Sequence, residues 1–96
     1  MNITFRLTRE KADLLDNILR AFGEEKIIST KRVLKLCRGS EELTIEYITL
    51  LVNLNLIKRI GNIEGKILPR RLAKLPNAED LLLIGGFSEI QKIDEY

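Results

Sequence analysis

Thr44-Ile45-Glu46-Tyr47-Ile48-Thr49-Leu50-Leu51-Val52-Asn53-Leu54-Asn55-Leu56-Ile57-Lys58-Arg59 restricts the fold more than any other stretch of the chain. Ile48, Leu51 and Leu54 recur at helical spacing, whereas Leu56 and Ile57 form an apolar pair followed by two basic residues. Asn55 stands between the two patterns, and asparagine tolerates the left-handed backbone that ends a helix better than other non-glycine residues. A helix that turns at one residue straight into a strand needs a second strand close by. Lys66-Ile67-Leu68 is the expected partner, joined through Gly61-Asn62-Ile63-Glu64-Gly65, whose Gly-Asn and Glu-Gly pairs are hairpin chemistry. Pro69 then falls at a strand edge or end, where its missing N–H does no harm.

Upstream, Thr8 reads as an N-cap, with Leu7 placed to staple against Ala12. Ala12, Leu15, Ile18, Leu19 and Phe22 predict a first helix over about residues 9–22, stopped by Gly23. Ile27-Ile28 is long enough for a minimal strand. Ser29 or Thr30 caps a second helix, Lys31 to Cys37, with Val33, Leu34 and Cys37 inward and Gly39 ending it. Ser40 or Thr44 caps the third; Glu41 and Glu42 suit either choice, since anions favour a helix N-terminus. Downstream, Asn77 caps a helix from Ala78 to Ile84 that Gly85-Gly86 terminates, and Phe87, Ile90 and Ile93 predict a further turn or two. At the front, Ile3, Phe5 and Leu7 alternate with polar residues, as a short strand or an N-terminal arm would.

Several chemistries are excluded by composition. The chain has no histidine and one cysteine, Cys37, which removes Ser-His-Asp and Cys-His catalysis, His-ligated zinc and an internal disulfide. No cofactor loop, metal cluster or paired general acid and base can be assembled, so neither an enzyme nor a cofactor is expected. Glu10, Asp13 and Asp16 read as the solvent face of the first helix. With 96 residues, 45% apolar and 31% charged, the expectation is one folded domain over residues 1–96. No apolar run reaches the roughly 18–20 residues of a membrane span, and the first residues lack a signal pattern. A reduced, cytoplasmic protein away from membranes is the simplest expectation.

Helix, minimal strand, helix, helix and hairpin, in that order, resemble the winged helix-turn-helix family over about residues 8–72. The carrying residues are Ile28-Ser29-Thr30, the inward Ile48, Leu51 and Leu54, and Leu54-Asn55-Leu56-Ile57-Lys58-Arg59. In that family the last phrase is typically Leu-Gly-Leu-Ile followed by basic residues, so Asn55 replaces the usual glycine. The resemblance implies a mainly α fold with a small antiparallel β-hairpin (α+β). Its parts are a three-helix core and a wing; a short C-terminal helical extension over residues 73–96 is expected beyond them, with residues 77–96 outside the resemblance. It also implies duplex DNA as partner and a role in transcriptional regulation, with the third helix in a major groove and the hairpin against the backbone.

Charge distribution fits that implication in part. Residues 26–38 hold five basic and no acidic side chains, residues 39–55 hold three acidic and no basic ones, and residues 56–74 hold six basic and one acidic. Lys31, Arg32, Lys35 and Arg38 on the second helix, with Lys58, Arg59, Lys66, Arg70 and Arg71 on or beside the hairpin, are the candidate phosphate contacts. Thr49 and Asn53 of the third helix are the candidate base contacts. Glu42 and Glu46 share that face and no arginine does, which makes the helix a poor reader of sequence. The competing reading of each cation is an ordinary solvated surface residue. A competing role is a protein-interaction or homodimerisation module without DNA binding. Its contact is Leu50 with Ile45 or Val52, because a core stripe uses only about half of this helix's apolar residues; the alternative is that the N-terminal strand or the C-terminal segment covers them. Residues 77–96 are the other candidate contact.

Overall fold

α1, Arg9–Arg20, starts where the hydroxyl of Thr8 accepts the Lys11 N–H at 3.2 Å. The structure is a computed structural model, and it describes residues 8–89. The expected strand or arm at Ile3 to Leu7, its staple to Ala12, and positions Ile90 and Ile93 lie outside the described residues. After α1 come β1 (Ile27–Ser29), α2 (Thr30–Leu36), α3 (Glu41–Asn53), β2 (Ile57–Ile60), β3 (Arg71–Lys74) and α4 (Pro76–Leu83). Residues 86–89 add one more helical turn. The fold is α+β, with the helices packed on a small antiparallel sheet of order β1-β3-β2.

α2 and α3 end in the same way, through a left-handed residue that is not glycine. At α3, Asn55 (φ 59°) donates its N–H to Val52 at 3.0 Å, and Leu56 donates to Leu51 at 3.0 Å. At α2, Arg38 (φ 58°) donates to Lys35 at 3.0 Å, and Gly39 donates to Leu34 at 2.8 Å. Both are Schellman closures, in which two orphan carbonyls of the last turn are satisfied. Asn55 was legible as such a residue. The α2 turn was expected at Gly39, but Arg38 takes the left-handed position as well.

β3 is central and antiparallel to both neighbours, with Ile28 and Arg59 both opposite Leu72. This corrects the expected hairpin, whose second strand was placed at Lys66-Ile67-Leu68. Pro69 has no N–H to give, and a strand paired on both sides needs donors along its length. The ladder therefore starts beyond it. Residues 61–70 form the connection instead, closed by the Arg70 N–H on the Gly61 carbonyl at 2.9 Å.

Of the two caps expected for α3 one is taken, and the start of α4 differs from expectation. Ser40 caps α3, its hydroxyl accepting the Leu43 N–H at 3.2 Å, while Thr44 is buried and donates to the Ser40 carbonyl at 2.7 Å. α4 starts with Pro76 in its first turn, after Leu75. Pro76 supplies a preset φ and lacks only an N–H that would be orphaned there anyway. Asn77 is consequently not the cap; its side-chain amide donates to the Asn55 carbonyl at 3.4 Å.

The core joins Leu15, Ile18, Leu19 and Phe22 of the first helical segment to Ile48, Leu51, Ile57 and Leu72. Ala78 and Phe87 belong to the same cluster, so the segment after residue 73 is built into the body of the fold. Leu50 and Val52 are partly buried against this core, and Ile45 is half-buried, so α3 does not present the open apolar patch expected of it. Its circumference is filled because the sheet and neighbouring helices cover more than one stripe. Of the large exposed apolar side chains, only Leu43 belongs to α3 among the described residues, and the most exposed are Ile67, Leu83 and Ile84.

Asp16 departs most from expectation. It is fully buried, not solvent-facing. Its carboxylate accepts the backbone N–H groups of Phe87 at 2.7 Å and Ser88 at 3.1 Å, and the Ser88 hydroxyl at 2.7 Å. A residue of α1 thus serves the N-terminal donors of the last helical turn, where a negative charge is also favoured. Gly86, at φ 78°, makes the approach possible: a Cβ there would lie 2.5 Å from Asp16 Oδ1. Replacing Asp16 by Ala is expected to lower unfolding stability by roughly 2–3 kcal/mol, since buried donors lose a charged acceptor. Gly86→Ala should be similarly damaging, and urea denaturation of both variants beside the parent measures it. Unchanged midpoints for both would contradict the latch.

Candidate nucleic-acid interface

The third helix and the sheet meet at one polar contact. Arg59 donates Nη2 to the Thr49 hydroxyl at 3.2 Å, joining the exposed side of α3 to β2. Arg59 reaches there because alternate residues of a strand point to opposite faces, and its partner Leu72 fixes its face as the helix side. Asn53 is exposed one turn further along α3. Toward the N-terminal end the same helix exposes Glu42 and Glu46, and Glu46 lies 3.9 Å from Lys11 of α1. The α3 surface therefore changes from acidic to neutral along its length, and the neutral end is beside Arg59.

Around that contact the predicted cations fall into separate sets. Lys31 of α2 and Lys66 and Arg70 of the hairpin loop line one cleft. Lys58 and Arg71 lie on the opposite sheet face from Arg59, as their register to Ala73 and Ile60 requires. Arg32 turns toward the end of α1, donating to the Ala21 carbonyl at 3.2 Å with Glu25 at 3.8 Å. Lys35 and Arg38 are exposed at the far end of α2. The structure thus brings together Thr49, Asn53 and Arg59, and separately Lys31, Lys66 and Arg70. It does not bring Arg32, Lys58 or Arg71 onto the α3 side.

Lys31, Lys35, Arg38, Lys58, Lys66, Arg70 and Arg71 make no ion pair or side-chain hydrogen bond among the described residues. By contrast Lys74, which was not a candidate, is structural: it donates to the Gly23 carbonyl at 3.1 Å and lies 3.4 Å from Glu79. Uncompensated cations of this kind attract polyanions without a competing internal partner. The Arg59 to Thr49 contact was not foreseen. The spacing of ten residues across a helix–strand turn carries no periodic signal, and only the Asn55 geometry brings the two together.

Two titratable groups lie beneath the surface. Burial pushes the Cys37 thiol up, partly offset by a hydrogen bond with Thr44. Burial also pushes the Tyr47 phenol up, with Glu46, Cys37 and Glu10 adding to it. Among the described residues no group of side chains suits a metal ion, and no helix is long and apolar enough to cross a membrane. No protein-family model, curated protein or solved structure matches the chain.

Both raised values act in the same direction on stability. The unfolded chain ionises first as pH rises, so this contribution is whole below the ordinary thiol and phenol values of about 8.5 and 10. It is lost as pH rises from there through the folded-state values. The urea midpoint should therefore be lower at pH 10 than at pH 7.5, and Cys37→Ala should shrink that drop. A drop unaffected by removing the thiol would count against Cys37 as a source.

Proposed function

We propose that this chain is a winged helix-turn-helix protein that binds duplex DNA, acting as a small transcriptional regulator and not as an enzyme. Element order supports the reading: helix, short strand, helix, helix, and a hairpin whose second strand pairs with the first short one. The observation that carries it is Arg59 bridging to Thr49. That contact holds α3 against β2 with Asn53 exposed one turn beyond it, while the hairpin loop that bears Lys66 and Arg70 lies beside the head of α2 and Glu41 at the start of α3. In this arrangement α3 enters the major groove by its C-terminal half. Asn53 and Thr49 reach base edges, while Lys31, Arg59, Lys66 and Arg70 hold phosphates. Glu42 and Glu46 disfavour a close approach of the backbone to the start of α3, and the grip depends more on phosphates than on base reading.

Lys35, Arg38, Lys58 and Arg71 are assigned lesser parts, as cations that extend the positive field without belonging to either cluster. Arg32 is assigned none, because Glu25 and the α1 carbonyl already occupy it.

A second reading is a protein-interaction module. It draws support from Leu83 and Ile84 at the end of α4, 85% and 63% exposed, not from Ile45, Leu50 or Val52. Homodimerisation through that end is its simplest form, and a monomer in sedimentation at high concentration would remove it.

Binding to a mixed-sequence duplex should weaken with salt. With about four phosphates neutralised, the slope of log affinity against log salt is expected to be about −4. Lys66→Ala and Arg70→Ala should each flatten it by about one, whereas Asn53→Ala should leave the slope and change the sequence preference. Absence of binding at low salt, or binding indifferent to salt, would refute the proposal.

A further inference from the structure

Between α2 and the hairpin loop runs a cleft of about 620 Å³, within the range of small-molecule sites. Leu34 lines its helical wall, and Ile63 and Leu68 line its loop wall. Its cations are Lys31 from the helix and Lys66 and Arg70 from the loop, none of them ion-paired among the described residues. Thr30 also lines the cleft. That residue is 7% exposed, and its hydroxyl oxygen has no hydrogen-bond partner among the described residues. Buried hydroxyls are ordinarily satisfied, so an unmet one beside a cavity marks a place where a ligand atom is wanted.

We infer that this cleft binds a small carboxylate with an apolar body, its chain against Leu34, Ile63 and Leu68 and its anionic head toward Lys66 and Arg70. Complementarity selects this occupant. An uncharged apolar molecule leaves the cations without an anion, and a small inorganic anion leaves the apolar walls open to water. Glu41, on the helical wall from the start of α3, opposes a negative head there and sets its direction toward the loop. The site stands independently of nucleic-acid binding. If the duplex reading holds, an occupied cleft takes Lys31, Lys66 and Arg70 from the phosphates, so the carboxylate acts as an effector that releases DNA.

Octanoate is a direct probe, titrated into the full chain in the absence of nucleic acid, below micelle-forming concentrations, and followed by amide chemical shifts. Saturable shifts are expected at Thr30, Leu34 and Leu68. Octan-1-ol should bind at least about tenfold more weakly, and Lys66→Ala combined with Arg70→Ala should weaken octanoate by a similar factor. Leu68→Ser should weaken acid and alcohol alike, with a spectrum as well dispersed as the parent's. The inference is overturned by shifts that do not saturate, by shifts centred on Leu83 and Ile84, or by equal affinity for acid and alcohol. Because no DNA is in the tube, failure of the duplex reading leaves this result untouched.

Discussion

A left-handed turn at Asn55 is the constraint from which the packing of α3 against the sheet follows. Once α3 closes its last carbonyls through Asn55 and Leu56, the chain leaves the helix in one direction only, and Ile57 enters the core beside Leu51. A strand leaving at that angle lays Arg59 across the helix it has just left. Its guanidinium then meets Thr49, less than three turns back along the chain. Asparagine performs this at lower strain than other non-glycine residues, through a short side chain that tolerates the positive φ.

β3 converts that local turn into a global arrangement. Paired to β2 on one edge and β1 on the other, it ties the start of α2 to the end of α3 through Leu72, which is fully buried. The Thr30 N–H donates to the Arg70 carbonyl at 3.0 Å, which brings the head of α2 against the hairpin loop. Lys31, Lys66 and Arg70 are neighbours for this reason, although they come from distant parts of the sequence. Asp16 completes the frame from the other side, holding the last helical turn so that Phe87 reaches the core. The buried charge of Asp16 is thereby separated from Lys31, Lys66 and Arg70, which make no ion pair among the described residues.

Much of the fold was legible because its signals are local. Thr8, Gly23 and the apolar positions of α1 obey a helical period, and Asn55 announces its own backbone conformation. Element order emerged from these alone. What was illegible depends on contacts distant in sequence. Leu72 and Ala73 form a strand only because β1 and β2 both need a partner, while Lys66-Ile67-Leu68 looked a better strand by composition. Asp16 sat on the polar face of a helix wheel, and nothing in α1 indicates that donors seventy residues away will bury it. Leu50 and Val52 looked surplus because a helix wheel counts one stripe, whereas this helix is covered on more than one side. The candidate site was legible as residue types and as charge blocks, but not as groups. Sequence placed nine cations in one set, and the strand alternation and Glu25 divide them.

The proposed duplex contacts of Asn53, Arg59, Lys66 and Arg70 are tested most directly by mapping amide shifts on adding a short mixed-sequence duplex at low salt. The expected result is shifts at those residues and at Thr49, with Glu25 and Arg32 unmoved. Shifts confined to the end of α4 around Leu83, with Asn53 and Arg59 silent, would contradict it.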